Sequence, residues 1–317
     1  MLFRSDSGSL IALAKRLIDP FILYLFARRL DSNADQESVI DGMMVGTILF
    51  SFHLALQGLD MGQKIRIGGM MDQPNSAGAF VATYSCLVLA LIVFLKNKKK
   101  IILLTGALLV CIFAEFQTVS RAGALGLCMG LLVTALISGR ALVKIAILGI
   151  ALSLLFIPQL LPDKLSSRLE GTAINNSDDF EAEVSADIRK QIWSAAITMS
   201  FSNPLGVGLG AFKRKIEEYG GPTGRDAHNM YLLVSSEMGA GGLLILLGLI
   251  FQMFKRGLKG VYCARDEISK KAGLALTGGM TALVVTNLFS ATIRDVSVFG
   301  YAWVLAAIVY QATPKRS

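Results

Sequence analysis

The sequence predicts an all-α fold: a polytopic helical membrane protein with one long external loop. The composition is the first reason, because the 317 residues are 53% hydrophobic and only 17% charged, with a mean hydropathy of +0.57. Soluble domains carry about a quarter charged residues. The composition therefore excludes a soluble enzyme, a disordered chain and a disulfide-stapled secreted module. The other two reasons are a series of long apolar runs and the alternating charge of their connections. A single integral membrane domain is expected over residues 1–317.

Eight stretches are long and apolar enough to cross a bilayer core of about 30 Å. In chain order they are Val39–Leu59, Ser76–Leu95, Ile101–Val119, Ala122–Ser138, Val143–Leu161, Asn229–Phe254, Gly273–Ala291 and Val296–Ala312. A ninth segment, Ser9–Ala27, holds Lys15, Arg16 and Asp19 before Pro20. Charges inside a span are costly, so this segment fits either an interfacial helix or a crossing helix whose charges face the bundle.

Every second connection between the spans is rich in Lys and Arg, and this predicts the orientation. The basic residues cluster at 28–29, 96–100, 140–144, 255–271 and 315–316. The positive-inside rule places these connections and the C-terminus in the cytoplasm. The formal net charge of +8 would suggest nucleic acid in a soluble protein. Here it reports topology, and no nucleic-acid partner is expected.

The opposite side is then external, or periplasmic in a Gram-negative cell, and it carries a long polar loop over residues 162–227. Within this loop, Ala186–Phe201 has helical periodicity, with Ile192 and Met199 on one apolar face. The helix is expected to end before Pro204. An amphipathic helix of this kind can lie on the bilayer surface as a lid.

Gly206-Val-Gly208-Leu-Gly210 resembles a phosphate-binding loop at first sight. It lacks the GK[ST] ending and does not follow a parallel strand. It also lies on the external side, where nucleoside triphosphate is scarce. We interpret it as a flexible turn, and we expect any reaction on this side to use an already activated substrate. Sugars linked to a lipid through pyrophosphate are the obvious class.

External arginines are the first candidates for binding such a substrate. Arg121 follows the outer end of a span, Arg189 lies on the amphipathic helix, and Arg225 lies three residues before His228. A guanidinium group fits pyrophosphate oxygens in a bidentate fork better than an ammonium group does. A salt bridge or a lipid headgroup contact would explain any one of these arginines equally well.

The histidines differ in their setting. His228 begins the span Asn229–Phe254 at the external interface, and Tyr231 lies about one turn further on the same face. An imidazole can take a proton from a sugar hydroxyl at neutral pH, although an interfacial histidine can also be purely structural. His53 lies deep in an apolar run and is predicted to pack inside the bundle. Two histidines and four cysteines without ligand spacing leave little scope for a metal site.

Several segments resemble the O-antigen ligase and O-antigen polymerase superfamily of bacterial membrane glycosyltransferases. His228-Asn229, nine residues, Gly239, two residues and Gly242 follow its H-[NSQ]-x9-G-x-x-[GTY] pattern. The two glycines also look like a small-residue helix contact. Other matching pieces occur in the family's order, namely Pro74-Asn-Ser-Ala-Gly78 (N-x-x-[AG]), Thr118-Val-Ser-Arg-Ala-Gly123 (T-x-S-R-[GA]), Arg189-Lys-Gln-Ile-Trp193 (R-x3-W) and the proline and alternating glycines of Asn203–Phe212.

The resemblance implies an inverting, metal-independent glycosyltransferase without a cofactor, in the bacterial inner (cytoplasmic) membrane. Its donor would be a glycan on undecaprenyl pyrophosphate, and its acceptor lipid A–core or another glycan at the periplasmic face. Carried over by position, Arg121 and Arg189 would bind and neutralise the pyrophosphate, and His228 would orient or deprotonate the acceptor hydroxyl. Asn229 and Trp193 would shape the site, and the predicted substrate-binding residues are Asn229, Trp193, Arg225 and Tyr231.

Other functions remain compatible with these motifs. A polymerase of O-antigen or exopolysaccharide would use a second lipid-linked repeat as acceptor, and a protein O-glycosylating ligase would use a protein. A transporter of the lipid-linked glycan would need the arginines but not His228. A non-catalytic assembly subunit would need neither. Superfamily members commonly have more spans than the eight predicted here, so the sequence leaves open whether N-terminal helices of the family are missing.

Overall fold

The computed structural model of the chain describes residues 18–19, 21–30, 32–60, 67–71, 73–140 and 186–312. These ranges contain helices, turns and loops but no strands, which confirms the all-α class for the described part. The helices are α1 (Asn33–Asp60), α2 (Pro74–Phe94), α3 (Lys98–Gln117), α4 (Arg121–Ile137), α5 (Ala186–Ser202), α6 (Phe212–Lys215), α7 (Met230–Cys263), α8 (Glu267–Asn287) and α9 (Val296–Ala312). A 3-10 turn, Ile216–Tyr219, follows α6, and residues 21–27 before α1 are also helical.

Four of these helices, α1, α2, α3 and α7, are long and apolar enough to cross a membrane. Two more, α4 and Val296–Gln311 of α9, are apolar but shorter. The predicted span Gly273–Ala291 falls largely on α8, which does not meet the same criterion. The predicted span Val143–Leu161 and much of Ser9–Ala27 lie outside the described residues. Several membrane-crossing helices are therefore present, while the count of eight stays a prediction.

The centre of the bundle is α2, which is apolar all round and almost completely buried. It packs against α3, α4 and α8, and α8 also contacts α7 and α9. Small residues let the helices approach closely. A Cβ at Gly130 of α4 would lie 2.8 Å from Ala282 Cβ and 2.8 Å from Cys86 Sγ, and Gly257 and Gly273 meet between α7 and α8 in the same way.

The connections lie at two ends of the bundle. At one end, here called the basic end, the starts of α1 and α8 meet through Lys271 and Glu37 at 3.5 Å. Gln36 of α1 donates to Gln311 of α9 at 2.6 Å there. Since successive helices alternate in direction, the basic connections 95–97 and 139–140 share this end. Residues 118–120 and the connections before α7 and α9 lie at the other end. Which end faces the cytoplasm stays a prediction.

A kink in α7 joins the bundle to the segment before it. Gly239 has φ 69° and ψ −169°, which interrupts the helix. The interruption frees backbone groups that a turn before α6 satisfies: Val207 N donates to Ser236 O at 2.9 Å, and Ala240 N donates to Pro204 O at 3.0 Å. Gly239 therefore contacts a turn, and not a second helix as the small-residue prediction had it.

The glycine run before α6 is built for this contact. Gly206, Gly208 and Gly210 all have positive φ, at 83°, 106° and 70°. Gly208 N donates to Glu237 O of α7 at 3.0 Å, and Gly206 N bonds within its own turn. Backbone amides used in this way cannot cradle a phosphate, so the run serves the packing of α7.

We predict that Gly239→Ala lowers the free energy of unfolding by about 2 kcal/mol or more, because a non-glycine residue is strained at this φ. The added Cβ would also lie 2.2 Å from Pro204 O. Gly241→Ala is the matched control, since a Cβ there meets nothing within 4 Å. In a helix that change should stabilise by up to about 1 kcal/mol. Thermal unfolding of both variants in detergent measures the difference, and equal midpoints would contradict the strain.

Candidate functional site

A pocket of about 470 Å³ opens at the end of the bundle opposite the basic end. Its wall is formed by the starts of α4 and α5, by residues 224–228 before α7, and by the connection between α8 and α9. Five of the residues predicted from the sequence line it together: Arg121, Arg189, Trp193, Arg225 and His228. Asn229, Tyr231, Gly239 and Gly242 are not among its lining residues.

Arg121 is held at the pocket by the three-residue turn between α3 and α4. Ser120 is the N-cap of α4, its N–H donates to Thr118 Oγ1 at 3.2 Å, and its hydroxyl donates to Asn75 Oδ1 at 3.3 Å. Val119 between them has φ 51°, a strained conformation for a β-branched residue. The turn makes Arg121 the first residue of its helix, where the dipole disfavours a cation. A bound anion would offset that cost.

Arg189 and Trp193 share one face of α5, four residues apart. The neighbouring face of α5 is apolar, and its residues are buried against α6, the 3-10 turn and α7; they are Ile192, Ala195, Ala196 and Met199. The predicted amphipathic helix is confirmed. Its apolar face rests on protein, which corrects the expectation of a helix lying on the bilayer surface.

Trp193 also fixes the chain beside the pocket. Its indole Nε1 donates to Ala227 O at 3.1 Å, and its ring centroid lies 6.2 Å from that of Phe289. Ala227 is the residue before His228, so the tryptophan of α5 helps to set the position of the histidine.

His228 has φ 47°, and non-glycine residues in this region cluster at functional sites. Asn229, the next residue, is the N-cap of α7, and its Oδ1 accepts from the N–H groups of Tyr231 and Leu232 at 3.0 Å. Its Nδ2 donates to Leu288 O at 3.0 Å. Asn229 therefore joins the start of α7 to the end of α8 and holds His228 from the other side.

Tyr231 faces the bundle, where its hydroxyl donates to Val284 O of α8 at 3.1 Å. The polar groups of Asn229 and Tyr231 are thus engaged in helix packing. Their predicted contact with substrate has no counterpart in the pocket wall, since neither residue lines the pocket.

An ion-pair cluster that the sequence analysis missed lies next to His228. Asp226 Oδ2 is 3.2 Å from Arg294 Nη2 and 3.7 Å from Lys213 Nζ, and Asp226 Oδ1 accepts from Ala227 N at 2.8 Å. Burial by itself would raise the pKa of Asp226, but Arg294, Lys213 and His228 together hold the pKa of this carboxyl below its ordinary value. The sequence offered one signal for this cluster, because Asp226 lies two residues before the candidate histidine.

The described wall of the pocket carries more positive than negative charge. Its basic residues are Arg121, Arg189, Lys190, Lys213, Arg225 and Arg294, and its acids are Asp226 and Asp295. Asp295 accepts from Ser76 Oγ at 2.6 Å. Such a wall favours a ligand with several negative charges. Within the described ranges, no group of three or more His, Cys, Asp or Glu residues could hold a metal ion.

Residues 106–247 match the model of the O-antigen ligase family. The match confirms the resemblance to the O-antigen ligase superfamily. It includes Arg121, α5, His228 and the kink at Gly239, and it ends before Arg294 in the connection between α8 and α9. A search of curated proteins finds no match to the chain.

We predict that Asp226→Asn lowers the free energy of unfolding at pH 7 by about 1 kcal/mol, because the variant loses the charge that pairs with Arg294 and Lys213. The pKa of Asp226 is lower in the folded state, so the carboxylate stabilises the fold above its unfolded pKa of about 3.9. That contribution disappears as the pH falls through the folded pKa.

Thermal unfolding at about pH 7 and about pH 3 checks this sign, since the difference between wild type and Asp226→Asn should shrink at the lower pH. Glu218→Gln removes an exposed carboxylate from the 3-10 turn and serves as the control, with stability close to wild type at both values. A difference that grows on acidification would contradict the assignment.

Proposed function

We propose that this protein is a membrane glycosyltransferase that transfers a glycan from undecaprenyl pyrophosphate to a lipid A–core acceptor. The observation that carries the proposal is the cationic pocket, which gathers Arg121, Arg189 and His228 at one end of a bundle with membrane-crossing helices. The family match supports ligase or polymerase chemistry. The donor, the acceptor and the residue roles are part of the proposal.

The arginines suit the leaving group. In a single displacement, the acceptor hydroxyl oxygen forms a bond to the anomeric carbon while the bond from that carbon to the phosphate oxygen breaks. The lipid pyrophosphate leaves with the electron pair, and the configuration at carbon is inverted. Arg121 and Arg189 would neutralise the charge that develops on the pyrophosphate, and fixed charges of this kind are usually a large part of the rate enhancement.

His228 suits the acceptor hydroxyl. The proton released when the new bond forms would pass to its imidazole, for which a reference pKa near 6.5 is well suited at neutral pH. The segment that carries it is fixed on one side by Trp193 and on the other by Asn229. The carboxylate of Asp226, two residues away, would favour the imidazolium that forms.

The alternatives differ in what gains or moves the sugar. A polymerase would extend a second lipid-linked repeat, and a protein O-glycosylating ligase would modify a protein. Offering purified protein the lipid-linked glycan with each acceptor in turn separates these activities. If no acceptor gained sugar while labelled lipid-linked glycan crossed proteoliposomes, the protein would be a transporter and the proposed function would be wrong.

We expect His228→Ala to lower the transfer rate by about 10²- to 10⁴-fold, because general base catalysis contributes that much. The chain's other histidine offers a matched control. His53 is exposed on α1 and does not line the pocket, so the prediction that it packs inside the bundle was wrong. His53→Ala should transfer at the wild-type rate. A wild-type rate for His228→Ala, in a preparation where Arg189→Ala is inactive, would remove the acid–base role.

Arg121→Lys should lower kcat/KM for the donor by at least about tenfold, because an ammonium group cannot make the bidentate contact with phosphate oxygens. Arg140→Lys is the control, since Arg140 is exposed at the basic end. Initial rates at varied donor concentration measure the effect. Equal values for the two variants would show that Arg121 acts only through its charge.

A further inference from the structure

An apolar groove adjoins the cationic pocket. It has a volume of about 870 Å³ and lies between α1, α2, the start of α9 and the loop before α2. Its apolar lining includes Leu49, Phe50, Met70, Met71 and Phe80. The side chains of Leu49 and Met70 are strongly exposed, at 62% and 76%, so the groove is open along the outer face of α1.

The groove and the pocket meet at shared residues. Gln73, Arg294 and Asp295 line both. Of the charged residues that the structure describes in these walls, Arg294 is the one cation common to both. An amphiphile with an anionic head and an apolar tail would therefore place the junction of head and tail beside Arg294.

Arg294 is held at this junction by Asp226, the acid two residues before His228. One hydrogen bond, from Nη2 to Asp226 Oδ2 at 3.2 Å, fixes the guanidinium group, and its side chain remains 32% exposed. A guanidinium group has five N–H donors, so one bond leaves capacity for a ligand. Asp226 Oδ2 is also 3.7 Å from Lys213 Nζ. Two cations share this carboxylate, and the second acid at the junction, Asp295, accepts from Ser76 Oγ at 2.6 Å.

We propose that Arg294 binds the phosphate that is attached directly to the polyprenyl chain, with the chain in the apolar groove. This inference rests on the proposed function and assigns the direction of the donor in the site. The sugar-linked phosphate then lies with Arg121 and Arg189, next to His228, and the chain runs away past Arg294. The binding residue comes from the connection between α8 and α9, outside the family match of residues 106–247.

The two phosphates can be tested separately, because undecaprenyl monophosphate carries the chain-linked phosphate alone. Dissociation constants are measured for undecaprenyl monophosphate and undecaprenyl pyrophosphate with protein in nanodiscs of phosphatidylcholine. Arg294→Gln should weaken the binding of both lipids by about tenfold, since a charged hydrogen bond is lost in each case. Arg189→Gln should weaken only the pyrophosphate.

Lys215→Gln is the matched control, because Lys215 lies on α6 and lines neither the pocket nor the groove. Its affinity for the monophosphate should stay close to wild type. If the glutamine variant does not fold, Arg294→Lys takes its place. This variant keeps the charge, and its dissociation constants for both lipids are compared with those of the wild type. Folding of every variant is checked by its thermal midpoint.

Wild-type affinity of Arg294→Gln for both lipids would overturn the inference. Weaker binding of the pyrophosphate alone would also overturn it, since Arg294 would then contact the sugar-linked phosphate. If the wild-type protein binds neither lipid and transfers no glycan, the proposed function fails instead, so the two failures are distinguishable.

Discussion

The backbone hydrogen bonds between the kink of α7 and the turn at 204–208 are the interaction on which the site depends. A helix interrupted inside a membrane protein leaves polar backbone groups that must find partners. The turn supplies these partners through Val207, Gly208 and Pro204. The same hydrogen bonds hold the turn, and with it the segment that contains α5 and α6, against α7. The pocket lies between this segment, the start of α4 and the connection that follows α8.

The pocket also combines local backbone strain with an excess of basic over acidic residues. Val119 and His228 both have positive φ and both line the pocket. Each lies close in sequence to a predicted functional residue or is one. Tertiary contacts maintain this conformation: Ser120 to Asn75 on one side, and Trp193 to Ala227 on the other. Positions fixed by such contacts suit the proposed role of the pocket, which is to present cations to a pyrophosphate.

Much of the candidate site could be predicted from sequence patterns. Apolar periodicity predicted α5 with its buried face, and the resemblance to the O-antigen ligase superfamily implied that Arg121, Arg189, Trp193 and His228 act together. The structure brings these four residues to one pocket. Each prediction rested on local spacing or on a short motif, which a single sequence contains.

The remaining features depend on contacts between distant segments. Asp226 and Arg294 are separated by 68 positions, and no local pattern marks an ion pair of that kind. Asn229 and Tyr231 belong to the motif, but only the packing of α7 on α8 shows that their polar groups bind backbone carbonyls. His53 lies in an apolar run, and helical periodicity alone did not reveal that it faces outward.

The close packing of α4 has a mechanical consequence for the pocket. Gly130 leaves no room for a methyl group between α4 and its neighbours, and Arg121 lies on the same rigid helix about 13 Å away. The close packing at Gly130 therefore helps to fix where the start of α4 lies. A side chain added at Gly130 would push α4 away from its neighbours and displace the guanidinium group of Arg121 at the start of the helix. The position of Arg121 at the pocket therefore depends on close packing around a glycine in the middle of the bundle.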